Sequence, residues 1–76
     1  MSIEDEVKSA IESSIEGSIA NVSGGGGHFV IEVTSEAFAG KRILEQQRLV
    51  YTAITHLMAG DAAPVHAVDS LVCKTP

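Results

Sequence analysis

Three histidines, a single cysteine and a run of four glycines are the residues of this chain with the most chemical reach. A neutral imidazole is a common metal ligand, and His28, His56 and His66 are spread across the sequence. His28 ends the stretch SGGGGHF, Ser23–Phe29, where the glycines stop and an apolar run begins. Two imidazoles do not complete a zinc site, and no Cys pair or HExxH motif adds to them. A metal centre built by this chain alone is therefore not expected, whereas one shared with a partner is compatible with the donors. His56, two positions after Ile54, reads as an exposed helix residue. On local sequence alone His66 is either a ligand or a core-edge histidine satisfied by a backbone carbonyl. For catalysis, Cys73 with a histidine is the one formal nucleophile and base. A lone cysteine in an apolar strand reads more simply as a small buried hydrophobe, and Tyr51 as a helix-packing residue with its hydroxyl at the surface. The expectation is a protein that is not an enzyme.

The glycines admit three uses. A phosphate cradle needs glycines that lead into a helix N-terminus, usually followed by GK[ST]; here they lead into a β pattern, and Gly40-Lys41 lacks the rest of such a motif. A GxxG nucleic-acid clamp sits between helices, again unlike this position. A turn between two strands remains.

These residues have to be held by the elements around them. Ser2 and Asp5 resemble a capping box, acidic residues fill the first turn, and Ile3, Val7, Ala10, Ile11 and Ile15 recur at helical spacing up to a stop at Gly17. SIANV, 18–22, reads as a weak strand. HFVIEVT, 28–34, alternates, with Phe29, Ile31 and Val33 on one face and His28, Val30, Glu32 and Thr34 on the other. The pair reads as a hairpin. SEAFAG connects it, with Phe38 plugging the core and an extra helical turn around 36–42. From Lys41 to about Ala59 no Gly or Pro intervenes, and Ile43, Val50, Ile54 and Leu57 form one stripe flanked by Leu44, Tyr51 and Met58. GDAAP, 60–64, ends this long helix, and VHAVDSLVC forms the last strand with His66 inside it. There Leu71 lies three positions after Val68, so a bulge near Asp69–Ser70 is needed to return Val68, Leu71 and Cys73 to one face. The expected fold is α+β: a two-layer α-β-β-α-(α)-β domain, with helices on one face of a three-stranded sheet, spanning 1–76 as a single domain.

Composition narrows the function classes. The chain has 76 residues and is 45% hydrophobic, enough for one small core. No apolar run approaches the roughly 20 residues of a membrane-spanning helix. One cysteine cannot form an internal disulfide, which favours a reducing compartment. With no charged-then-apolar lead at the N-terminus, the expected location is bacterial cytoplasm, or an organelle interior if a transit peptide has been removed. Net charge is −5, concentrated in Glu4, Asp5, Glu6, Glu12 and Glu16, with Lys8 alone to oppose them. Lys41, Arg42 and Arg48 make a small basic region, too few cations for strong nonspecific binding to nucleic acid.

In sequence order, HFVIEVTSEAFAGKRILEQQRLVY, 28–51, resembles the BolA family. The specific parts are Phe38-Ala39-Gly40-Lys41, then Gln46-Gln47-Arg48 with Val50-Tyr51, then Val65-His66-Ala67, then the terminal Lys74-Thr75-Pro76. The resemblance spans nearly the whole chain and is weakest in the first helix. It implies an α-β-β-α-α-β fold similar to class II KH domains, and partnership with a monothiol glutaredoxin. It further implies a [2Fe–2S] cluster bridged between the two proteins, with sulfur from the glutaredoxin and from glutathione and nitrogen from the BolA-like chain. The family's signature C-terminal histidine falls on His66. Its variable loop offers Cys or His as a second ligand; the cysteine-type position falls on Gly25, so His28 is the implied loop ligand, the glycines letting that loop move. Imidazole in place of thiolate raises a cluster's potential and makes ligation proton-sensitive near neutral pH.

Departures from the family pattern matter too. Gln46-Gln47 stand where many members have Arg-His, removing charge from a helix-turn-helix-like segment linked to DNA binding. The last strand is one residue longer between His66 and Thr75-Pro76, in line with the bulge. The acidic-aromatic extension that often follows is missing after Pro76, which trims a surface for partners. The sequence thus points to an adaptor, monomeric when alone, that acts with a monothiol glutaredoxin in iron–sulfur or iron homeostasis. Its cluster ligands are His66 and His28, and its docking face is the long helix with the last strand. The alternative is a stress-response regulator that binds nucleic acid through Lys41, Arg42 and Arg48. A thiol-dependent reductase using Cys73 is a distant third.

Overall fold

The computed structural model describes residues 2–60 and 63–76. Helix α1, Ile3–Ser14, starts where the Ser2 hydroxyl accepts the Asp5 backbone N–H at 3.2 Å, with Glu4, Asp5 and Glu6 in the first turn. Val7 and Ile11 are fully buried, and Ile15 continues their stripe just past the helix end. Gly17 then takes a φ of 70°, a left-handed conformation that stops the helix and that only glycine adopts without strain.

Strand β1, Ile19–Gly25, is longer than the five residues expected. It runs into the glycines because β2, His28–Thr34, offers partners that far: Ser23 faces Val30, Gly24 faces Phe29 and Gly25 faces His28. Only Gly26 and Gly27 make the turn, with φ of 64° and 85°. Two consecutive positive φ values are the pattern of a type I′ hairpin turn, whose twist matches that of the strands it joins. The expected mobile loop is therefore corrected to a tight two-residue turn. Glycine is a poor strand former on its own, but the ladder to β2 overrides that preference.

Phe29, Ile31 and Val33 of β2 are buried, and Val30 between them is exposed, as the alternation requires. The extra turn is the short 3-10 helix η1, Glu36–Phe38, capped by the Ser35 hydroxyl, which accepts from Ala37 N–H at 3.1 Å. Ser35 is itself completely buried and donates to the Glu16 carbonyl at 3.2 Å, so its hydroxyl carries no desolvation debt. Phe38 is fully buried in the core.

Helix α2, Ile43–Met58, buries Val50, Ala53 and Ile54. Ile43 and Leu44 differ from expectation: they are 72% and 59% exposed. The first turn of α2 overhangs β3, leaving a groove of about 200 Å³ lined by Ile43, Gln46, Gln47, Leu71, Val72 and Cys73. A stripe drawn on a helical wheel continues through Ile43, whereas the burial of α2 is confined to Val50, Ala53 and Ile54. Of the expected helix-ending segment 60–64, Asp61 and Ala62 lie outside the described residues. Beyond them Val65 is buried and its N–H donates to the Leu57 carbonyl at 3.1 Å.

The last strand, β3, is Ala67–Lys74. His66 immediately precedes it instead of lying within it: the register with β2 begins at Ala67 opposite His28, and the His66 N–H donates to the Gly27 carbonyl in the turn. The sheet order is β1-β2-β3, with β1 and β2 antiparallel and β2 and β3 parallel. Register runs from Phe29 opposite Val68 to Val30 opposite Ser70, so Asp69 is the extra residue of a bulge. Val68, Leu71 and Cys73 all pack on the core as that bulge requires. Both helices cover one face of the sheet, α1 over β1 and α2 over β3, and they also touch each other. Among the described residues no helix is long and apolar enough to cross a membrane.

Candidate functional site at the hairpin end of the sheet

The parallel register places His28 opposite Ala67, and hence beside the residue before it, His66. Residues 38 positions apart in sequence thereby meet at one end of the sheet. The junction is made by one carbonyl: the oxygen of Gly27 accepts the N–H of His66 at 2.8 Å and that of Ala67 at 2.9 Å. A side chain at Gly27 would collide with the His66 ring, so this imidazole lies directly over the glycine. The turn needs glycine there twice over, for its positive φ and for the space.

Both histidine side chains are exposed. His66 has no side-chain hydrogen bond among the described residues. His28 Nδ1 lies 3.2 Å from Asp69 Oδ1, an exposed contact between the first residue of β2 and the bulged residue of β3. No three His, Cys, Asp or Glu side chains cluster closely enough to hold a metal ion among the described residues. This end of the sheet thus presents two accessible imidazoles, an incomplete donor set open to solvent.

Over residues 2–76 the sequence matches the family profile described as BolA-like protein. The chain belongs to the BolA family. It is 39% identical over 59 residues to Protein BOLA2 of Arabidopsis thaliana, a match that covers 76% of this chain and 59% of that protein's length. Its fold superimposes on a bolA protein homologue from Coxiella burnetii with a TM-score of 0.82 at 34% identity, over all of this chain and 94% of the other. The BolA domain of SufE1 from Arabidopsis thaliana gives a TM-score of 0.78 at 27% identity, over the whole of this chain and 94% of that domain's chain. The mixed α+β architecture is thus that of the BolA family.

The other sequence candidates of this BolA-family chain lie elsewhere. His56 is exposed on α2, lining an open groove between the helices with Glu6, Ser9, Ala10, Ser13 and Leu57. Cys73 is half-buried near the far end of β3, seven residues from His66, or about 20 Å along a strand. Burial pushes its thiol above the ordinary value, which disfavours the thiolate needed by a nucleophile or ligand. Its distance from either terminal histidine removes the base a reductase would use.

Lys41, Arg42 and Arg48 are exposed around the first turns of α2. Glu45 stands among them and accepts the Arg42 backbone N–H at 3.4 Å. Gln46 has a structural role here: its amide donates to the carbonyls of Phe38 at 3.0 Å and Lys41 at 3.2 Å, fastening the Phe-Ala-Gly-Lys turn to α2. Sequence reasoning singled out both histidines as candidates but not Asp69 and Gly27 as their neighbours. The Val68-to-Leu71 spacing marked the bulge; no local pattern says which side chain the bulged residue meets.

Proposed function

We propose that this protein is a non-enzymatic adaptor in iron–sulfur or iron homeostasis, binding a monothiol glutaredoxin and sharing a bridging [2Fe–2S] cluster through His66, with His28 assisting. The observation that carries this reading is the placement of two exposed histidines at one end of the sheet, on neighbouring segments held together by backbone hydrogen bonds to the Gly27 carbonyl. Membership of the BolA family supports it.

The donor set fits a shared group better than a resident one. Two imidazoles leave a metal centre short of ligands, so thiolates must come from outside, here from the glutaredoxin and glutathione. When bound, the cluster supplies a labile redox centre whose potential is raised by imidazole ligation. The chain's own contribution is positioning. His66 is held at its backbone by the Gly27 carbonyl and flanked at its ring by the Gly27 backbone, while both imidazoles stay open to solvent. The overhanging first turn of α2 and the adjoining strand β3 supply an apolar docking face through Ile43, Leu71 and Val72.

The test is titration with a cluster-loaded monothiol glutaredoxin, followed by visible circular dichroism, with His66→Ala and His28→Ala in parallel. A changed cluster spectrum in the wild type that is abolished by His66→Ala is expected. Identical, unchanged spectra in the wild type and His66→Ala would remove the shared-cluster mechanism. Salt-sensitive duplex binding lost in Arg48→Ala and indifferent to His66 would then favour the nucleic-acid alternative.

A further inference from the structure

Asp69 occupies a position that the regular ladder does not contain. Residues 67 and 68 pair with His28 and Phe29, residue 70 pairs with Val30, and Asp69 is the extra residue between them. Its carboxylate reaches back along β2 and meets Nδ1 of His28 at 3.2 Å. A carboxylate only accepts at this site, so the neutral imidazole must present an N–H at Nδ1. That choice leaves the lone pair on Nε2, the atom free to bind a metal. Among the described residues Nε2 of His28 has no competing hydrogen-bond partner.

We infer that Asp69, the bulged residue of β3, is a positioning residue that sets the tautomer and ring orientation of His28 so that Nε2 serves as the ligand. This rests on the reading of His28 as a ligand of the shared cluster. The chemistry is general: a ligating histidine usually donates its other ring N–H to a carboxylate, a carbonyl or water, which fixes the ring and raises its basicity. Here the device depends on the bulge that makes Asp69 the extra residue of β3. Without the bulge, the exposed carboxylate at this point would not be the unpaired residue next to His28. His66 is held differently, by its backbone and by the Gly27 surface, and has no carboxylate partner among the described residues. The two imidazoles are therefore prepared by separate means: Asp69 selects a tautomer for one, and the turn selects a place for the other.

The experiment has two arms. The first records the ring nitrogens of His28 by long-range ¹H–¹⁵N NMR on the isolated protein at about pH 8.5, well above the ordinary imidazole value. Wild type is expected to show the Nδ1–H form. Asp69→Ala is expected to shift His28 toward the Nε2–H form that dominates in water, with backbone amide shifts along β2 and β3 preserved. Asp69→Asn keeps the side-chain shape, removes the charge, and is expected to fall between them.

The second arm titrates the same variants with cluster-loaded monothiol glutaredoxin under visible circular dichroism. Asp69→Ala is expected to weaken the wild-type response about tenfold, the usual scale for losing an outer-shell partner, and to have no further effect in a His28→Ala background. An Nε2–H tautomer in the wild type overturns the inference, as does a tautomer insensitive to Asp69→Ala. A response abolished by His66→Ala but untouched by His28→Ala and Asp69→Ala also overturns it, while leaving the adaptor reading standing. No response in the wild type would bring down the adaptor reading as well, even with the Nδ1–H tautomer intact.

Discussion

The two outer ends of the β1–β2 hairpin region use charged side chains in opposite ways. Along the outer edge of β1, Lys8 and Glu12 of α1 close on one residue. The Glu12 carboxylate accepts the Ala20 N–H at 3.0 Å, Lys8 Nζ donates to the Ala20 carbonyl at 2.8 Å, and the two charges meet at 2.7 Å. At the turn end, His28 touches Asp69 through one nitrogen and keeps the other open, and the ring nitrogens of His66 have no hydrogen-bond partner among the described residues although the ring lies against Gly27. The first cluster is closed: side chains stand in for the strand that an edge lacks, and the acceptors and donors facing them are used. The second retains unused donor atoms at the surface. Lys followed by Glu at (i, i+4) is the weaker order on an isolated helix, so the value of the Lys8–Glu12 pair lies in gripping Ala20. That contrast separates charged groups whose partners lie within the fold from ring nitrogens left open at its surface.

The comparison is broken most directly at Gly27. Gly27→Ala puts a side chain at a φ of 85° and into the His66 ring. The backbone strain alone is expected to cost roughly 1–2 kcal/mol, read by urea denaturation, and the His66 ring resonances should move. An unchanged midpoint and unchanged resonances would mean that the turn does not hold His66 as described.

Glu12→Gln sharpens the other side, with an expected loss of about 1 kcal/mol for a charged hydrogen bond at a partly exposed site. It also has a pH signature. The Lys8 hydrogen bond, and then the one from Ala20, hold the Glu12 carboxyl below the ordinary value. The folded state therefore favours the ionised form, and this stabilisation is complete above the unfolded value and lost as pH falls through the folded one. Urea midpoints measured down through the acid range should fall less steeply in Glu12→Gln than in wild type; parallel curves would show that Glu12 does not grip the edge.

His66→Ala carries the smallest expected change in stability, under about 0.5 kcal/mol for an exposed side chain outside the core. A large destabilisation would mark His66 as part of the scaffold and dissolve the distinction between the two clusters.

Much of the fold is legible along the chain, because the controlling physics is local. The stripe Val7-Ile11-Ile15 marks α1, the alternation Phe29-Ile31-Val33 marks the central strand, and Phe38 among small residues marks a plug. Even the bulge follows from the spacing of Val68 and Leu71, since a strand cannot otherwise keep both on the core. The two terminal histidines could be singled out as residue types and through the family motif around His66. Their environment could not be read in this way. β1 reaches Gly25 because β2 extends that far, and Ile43, which lines an open groove beside β3, stays exposed. These outcomes depend on partners far away in sequence, which no local period encodes.

The amino-acid sequence by itself determined the order of elements, the inward face of each and the place where β3 must bulge, since these follow from side-chain periods of 3.6 and 2 acting within one segment. The tertiary structure decided that His28 lies beside Asp69, that His66 rests on Gly27, and that Cys73 is too far from either histidine to work with it. Those relations are set by the parallel register of β2 and β3. Register is a choice between segments more than 30 residues apart, made by packing the common core and not by either strand alone.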